Sequence, residues 1–409
     1  MNPYDPDVSL RRRKLLGALG AAFAAPLLAN AAESTHIVLP FSNGERPLTS
    51  GFPQKSGMIL QRTRPPLLET PFDVFDQRVF TPNDRFYVRW HLASIPTTID
   101  PHTFRLDIRG HVNRPVSLTL DELVSRFPRF EIAAVNQCSG NSRGFFEPRV
   151  PGGQWANGAM GNARWTGVRL KDLLTHAGVL TNAVRVRFDG LDSGVIPQTP
   201  KYLKSLAIEH ALDGEVMVAY AMNGQPLPLL NGYPLRLVVP GWYATYWVKM
   251  LHDIEVLDGP DDNFWTAKAY LVPDNHYANV HPGEHGFKQV PISTMLPRSF
   301  FTNVQAGARV RVSEPMLVRG IAFGGASALK QVQFSADAGH TWSTAALGRD
   351  FGKYSFRQWQ TTVRFTQPGK QILMVRAVNA NGESQPSVPN WNGAGFMRNV
   401  VESIDVDVA

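Results

Sequence analysis

One cysteine stands in 409 residues. Cys138 has no partner for an internal disulfide, and a single cysteine cannot build a Cys-x-x-Cys-His haem attachment. The thiol is an inert buried group, half of an intermolecular bridge, or a chemically used sulfur. Long apolar runs are missing as well: the longest, over 15–28, falls short of the roughly 20 residues that cross a bilayer, so membrane insertion is not expected. Charged residues make up 18% of the chain, and its formal net charge of +7 is spread thinly. No basic run with interleaved aromatics is present, which argues against a nucleic-acid partner and fits small anionic ligands or an acidic protein partner better. Extended helical periodicity is scarce too, whereas glycine, proline and aromatic residues are plentiful.

The N-terminus reads as an export signal over residues 1–32. Arg11-Arg12-Arg13-Lys14 precede the apolar run, and Ala29-Asn30-Ala31 supplies small residues for cleavage. The arginine pair before Lys14-Leu15-Leu16 fits the twin-arginine type, which carries folded proteins. The expected location is therefore the periplasm. Removing the signal takes away four basic and two acidic residues and leaves the remainder mildly basic.

Short helices are expected over 120–126, opened by Thr119-Leu120-Asp121-Glu122, over 170–177, closed by Gly178, and over 203–211. Strands are expected over 104–110, 130–135, 184–188 and 235–239. Residues 60–270 thus read as a mixed, β-rich α+β catalytic domain, and 271–290 as a Pro-, His- and Gly-rich linker. From 291 to 409 strands recur at short intervals with turn signals such as Asp337-Ala338-Gly339 between them. That pattern predicts an all-β immunoglobulin-like sandwich without the usual cysteine pair. His276, His281 and His285 lie in the linker without a helical or hairpin frame, and no metal is assigned to them.

Two stretches carry the chemistry. In Phe86-Tyr87-Val88-Arg89-Trp90-His91-Leu92, strand alternation places Tyr87, Arg89 and His91 on one face and Phe86, Val88 and Trp90 on the other. In Asn136-Gln137-Cys138-Ser139-Gly140-Asn141-Ser142-Arg143, an apolar strand ends on a polar, turn-forming loop that sets the thiol at a lip beside an arginine. A thiolate is a soft metal donor. One protein ligand does not hold a labile metal, so the other ligands would come from a cofactor.

These stretches, with Ala163-Arg164-Trp165-Thr166-Gly167-Val168, Tyr233-Pro234-Leu235-Arg236-Leu237-Val238-Val239-Pro240-Gly241, Trp247-Val248-Lys249 and the segment from Trp265 to Tyr270, resemble the sulfite oxidase family of molybdenum enzymes, in particular its bacterial haem-free sulfite dehydrogenases. The resemblance implies that Cys138 ligates a molybdenum held by one pterin dithiolene and bearing oxo groups. It implies that Arg89, Arg143 and Tyr270 surround the oxyanion, with Trp155 as a pocket wall. His91, Asp192, Arg236 and Lys249 become pterin and phosphate contacts. It further implies oxidation of sulfite to sulfate, with electrons leaving for a separate c-type cytochrome since no haem is expected, and association as a homodimer or with a cytochrome subunit. A sulfoxide reductase of the same family and a cofactor-free envelope binding protein are the alternatives. The chain departs from the animal pattern at Asn231, where a pterin-proximal histidine stands, and at Ala394, where a substrate-contacting arginine stands. Arg398 is the candidate to compensate for the latter.

Overall fold

Phe130–Gln137 and Met160–Arg169 pair antiparallel, from Phe130 opposite Gly167 to Gln137 opposite Met160. Their inner halves are buried, so the sequence there runs apolar rather than alternating. Met217–Met222 joins the other edge of Met160–Arg169, and Arg236–Val238 pairs with Met217–Met222. This sheet delivers Cys138, just past a strand end, and Arg236 to the same region. The computed structural model describes Thr35–Ala409; the expected export signal lies outside the described residues.

A second sheet runs in the order Lys204–Ala207, Arg185–Gly190, Leu251–Leu257, Leu106–Gly110, Val116–Leu118. Its one parallel pair joins Leu251–Leu257 to Leu106–Gly110. Two helices pack against these sheets with the caps expected of them. Thr119 and Glu122 form a reciprocal capping box on Leu120–Arg126, and Gly178, at φ +71°, closes Leu170–Ala177.

Two local expectations change. Residues 203–211 form a strand, Lys204–Ala207, followed by one helical turn, Ile208–Ala211. Antiparallel pairing with Arg185–Gly190 captures the backbone of the first half and overrides its helical propensity. Within 86–92 only Val88–Arg89 pairs, against Leu67–Glu69. The alternation of faces persists nevertheless: Val88 and Trp90 pack in a small core with Met58, Leu68 and Met250, while Tyr87, Arg89 and His91 face a cavity.

The C-terminal portion is a sandwich. One sheet holds Arg298–Phe301, Met316–Phe323, Arg357–Val363 and Ala346–Leu347; the other holds Ala308–Val310, Glu402–Val408, Gly369–Asn379, Leu329–Ser335 and Ser343–Thr344. Its first sheet is buried on both faces. Phe301, Val318 and Ala322 fill the sandwich core, while Phe300, Ile321 and Phe323 enter the core of the catalytic portion. Buried Arg298 reinforces the join, pairing with Glu402 at 2.6 Å and donating to Ser142 Oγ at 3.0 Å. Between the two portions, Leu271–Pro273 pairs with Gln289–Pro291.

Candidate active site

The loop after Phe130–Gln137 is fixed by its own backbone. Cys138 N–H donates to Ala159 O at 2.9 Å, Asn141 N–H donates to Cys138 O at 3.0 Å, and Asn141 Oδ1 accepts from Ala159 N–H at 2.9 Å. Ser142 takes a left-handed conformation at φ +69° and turns the chain so that Arg143 folds back over the loop. Three glycines make room for its guanidinium. A Cβ on Gly140 would stand 2.4 Å from Arg143 Nη2, one on Gly152 2.8 Å from Nη1, and one on Gly395 2.7 Å from Nε. Arg143 Nη1 donates to Gly153 O at 3.3 Å and Nη2 to Ala394 O at 3.2 Å, and its guanidinium lies 5.1 Å from the centre of the Phe396 ring.

Cys138 opens onto an inner cavity shared with Tyr87, Arg89, His91, Ser139, Asn231, Arg236, Thr245, Lys249 and Tyr270. Arg89 and Tyr270 continue outward into a cleft of about 730 Å³, where Arg143, Trp155, Trp265, Gly393, Ala394 and Phe396 form the walls. Among the residues expected at the site, Cys138, Arg89, His91, Arg236, Lys249 and Tyr270 line the inner cavity, whereas Arg143 and Trp155 line the cleft. Asp192 is buried and does not line the cavity.

The inner cavity and the cleft beside it are strongly cationic. Arg89, Arg143, Arg236 and Lys249 have no carboxylate ion-pair partner among the described residues. Burial lowers the Arg236 pKa to about 10. Burial, and then Arg236, pushes Lys249 down while Asp192 opposes the shift; burial likewise raises Asp192 against the pull of Lys249. Several buried polar atoms around the cavity have no partner: Arg89 Nη1, His91 Nδ1, Asn136 Nδ2, Ser139 Oγ, Arg143 Nε and Arg236 Nε. Unpaired buried charges cost several kcal/mol each, so this donor set calls for an anionic occupant. No group of three or more His, Cys, Asp and Glu able to hold a metal exists among the described residues. A metal at Cys138 must therefore bring its other ligands with it. A pterin dithiolene with its phosphate does so, and its negative charge fits these donors.

His91 is neutral: burial, and after it Arg89 and Lys249, hold its pKa well below the usual imidazole value. Its ring stacks on Tyr202 at 3.7 Å between centroids, and Nε2 is hydrogen-bonded to the Tyr270 hydroxyl. Burial raises Tyr270 above the ordinary phenol value, so the hydroxyl keeps its proton. The other imidazole nitrogen, Nδ1, has no partner.

Asn231, where the family histidine stands, lines the inner cavity. Its Oδ1 accepts from the buried Lys55 Nζ, and its Nδ2 donates to Tyr87 O at 3.1 Å. Arg398 stands away from the position of the missing arginine. It lies 5.4 Å from the Phe145 ring and is absent from the cleft lining, where Ala394 stands. Lys55, Lys204, Thr245 and Asn136 were not singled out from sequence. Lys204 donates to Trp265 O at 2.9 Å and lies 5.2 Å from the Tyr270 ring.

Glu69 secures the loop beyond Trp155. Its carboxylate accepts from Gly158 N–H at 2.9 Å, Ala156 N–H at 3.2 Å and Gln61 Nε2 at 2.7 Å. Burial raises its pKa to about 7 despite these bonds. A carboxyl whose folded pKa lies above its unfolded value contributes stability at low pH that is lost as pH rises from the unfolded pKa toward the folded one. Relative to Glu69→Gln, the native protein should lose up to about 3 kcal/mol between pH 4.5 and 7, by linkage at about 1.4 kcal/mol per unit. Urea unfolding of both proteins at pH 5 and pH 8 checks this; a parallel pH dependence would contradict it.

Comparison with known proteins agrees with this geometry. Residues 91–265 match the "Oxidoreductase molybdopterin binding domain" model and residues 290–408 the "Mo-co oxidoreductase dimerisation domain" model. The chain is 32% identical to sulfite oxidase of Gallus gallus over 372 residues, covering 87% of this chain and 79% of that protein. The chain belongs to the sulfite oxidase family of molybdenum enzymes. Mitochondrial sulfite oxidase of Mus musculus is 34% identical over 363 residues, covering 84% of this chain; the alignment spans 64% of the mouse protein's length. The sulfane dehydrogenase SoxCD of Paracoccus pantotrophus shares the fold, with a TM-score of 0.71 over 96% of each chain at 22% identity.

Proposed function

We propose that this family member is an exported, periplasmic sulfite dehydrogenase that oxidises sulfite to sulfate and passes the electrons, one at a time, to a c-type cytochrome. The observation that carries the reading is a single thiol at a strand end, facing a cavity of buried and half-buried cations with no ion-pair partners among the described residues. In this reading Cys138 ligates the molybdenum. His91, Arg236 and Lys249 hold the pterin and its phosphate. When bound, the cofactor supplies oxygen-atom transfer to sulfur and stores the two electrons.

The protein's own residues bind and orient the substrate. Arg89 and Arg143 present forked, permanently charged donors to a compact oxyanion. Tyr270 holds a proton toward the same position, kept there by neutral His91. Trp155, Trp265 and Phe396 limit water at the cleft, which strengthens each of these interactions. Export by the twin-arginine route suits a cofactor inserted before translocation.

Metal analysis of the purified protein should find one molybdenum per chain, and anaerobic addition of sulfite should change the absorption of the bound centre. Molybdenum-loaded protein that does not respond to sulfite would remove the proposed activity. Association through the sandwich is expected from the dimerisation-domain match. Light scattering should therefore give about twice the mass of one chain; a monomer at micromolar concentration would point to a stable cytochrome complex instead.

A further inference from the structure

The cleft outside Tyr270 sets cations beside apolar groups. Its lining includes Arg89 and Arg143, each with a buried guanidinium nitrogen lacking any partner, Nη1 in Arg89 and Nε in Arg143. Trp155, Ala394 and Phe396 line it as well, with Arg143 lying 5.1 Å from the centre of the Phe396 ring. Phe396 lies parallel to Tyr270, 5.2 Å between centroids and 4° between planes, so the apolar wall is a flat aromatic face beginning beside the proton donor. Arg46 at the mouth is already bound to Gln61 Oε1, Asn43 O and Glu45 O. Arg62 there is exposed and donates Nε–H to Pro65 O. The cleft encloses about 730 Å³. A compact oxyanion needs only a few times the roughly 30 Å³ that one water occupies in the liquid. The rest of the space, lined in part by Leu67, Trp155, Trp265, Ala394 and Phe396, is unused by sulfite.

We propose that the site also oxidises organosulfinates to sulfonates, with the two arginines binding the two sulfinate oxygens and the carbon substituent lying along Ala394, Phe396 and Trp155. The inference rests on the reading above, that a sulfur oxyanion is oxidised at this site. A sulfinate carries the same sulfur lone pair as sulfite, but with two oxygens and one carbon in place of three oxygens. Two forked donors match two oxygens, and an apolar wall matches a carbon group better than a third charged oxygen. The reaction balances as one sulfinate plus one water giving one sulfonate, two protons and two electrons. One sulfur–oxygen bond forms, the water's two O–H bonds break, sulfur is oxidised by two electrons, and a one-electron acceptor such as ferricyanide is reduced twice.

The test uses holoenzyme with ferricyanide and compares sulfite with methanesulfinate, propanesulfinate and benzenesulfinate, the sulfonate being identified by mass spectrometry in oxygen-18 water. Separately, tryptophan fluorescence of the same protein is titrated with unreactive alkanesulfonates of one to four carbons. The expected result is turnover of the sulfinates, with a sulfonate Kd that tightens about three- to fourfold per added methylene. Ala394→Arg should erase that chain-length dependence and lower kcat/KM for propanesulfinate far more than for sulfite. Turnover of sulfite but of no sulfinate, with a flat sulfonate series, would overturn this inference and leave the sulfite reading standing. Turnover of sulfinates without sulfite would support it and overturn that reading. Loaded enzyme that oxidises neither would overturn both.

Discussion

Cys138→Ser protein is expected to fold and to lose sulfite turnover. The side chain is almost fully buried at 8% exposure, and serine is nearly isosteric. The backbone bonds that shape the loop, Cys138 N–H to Ala159 O and Asn141 N–H to Cys138 O, do not involve the sulfur. Stability should therefore change by no more than about 1–2 kcal/mol. What is lost is a soft, deprotonated donor, for which a serine hydroxyl is a poor substitute. Thermal unfolding, molybdenum content and steady-state sulfite oxidation, measured on one preparation, separate the two effects. A serine variant that turns over sulfite near the parent rate would exclude Cys138 as the ligand.

Arg143→Gln should raise the sulfite KM by about ten- to a hundredfold, the worth of one charged donor to an oxyanion at roughly 1.5–3 kcal/mol. A second substitution reaches the same arginine without altering it. Gly140 is not left-handed, so alanine there strains no backbone, but its Cβ would sit 2.4, 2.5 and 2.7 Å from Arg143 Nη2, Cζ and Nη1. The guanidinium must leave its cradle. Gly140→Ala is therefore expected to raise KM at least about tenfold by misplacing the donor, with the fold intact by circular dichroism. Unchanged KM in both variants would place the anion elsewhere.

Much of the architecture was legible in the chain because it follows from local pattern. Alternation in 86–92 sorted Arg89 and His91 from Trp90 even though only Val88–Arg89 pairs. The apolar strand ending in a polar loop placed Cys138 at a lip. What stayed hidden depends on contacts between distant segments. Lys204 sits in a stretch that reads as helix until Arg185–Gly190 pairs with it. Lys55 meets Asn231 across 176 positions, and nothing near either residue announces the other. The glycines at 140, 152 and 395 look like separate turn residues until one guanidinium is seen to lie against all three. The double burial of the sandwich's first sheet was equally invisible, because apolar residues on both faces of a strand do not reveal what covers each face.

The fastening of Arg143 Nη2 to Ala394 O, with Phe396 closing the wall beside Tyr270, bears on the order of events in the cell. Residues that meet at the oxyanion position are drawn from Arg89 to Phe396, more than 300 positions apart. A growing chain whose exposed part stops short of Ala394 has the thiol and both arginines, but not the wall against which one of them is set. The pocket is thus complete only once Ala394 and Phe396 have joined it, and a cofactor that enters earlier meets a site still missing that wall.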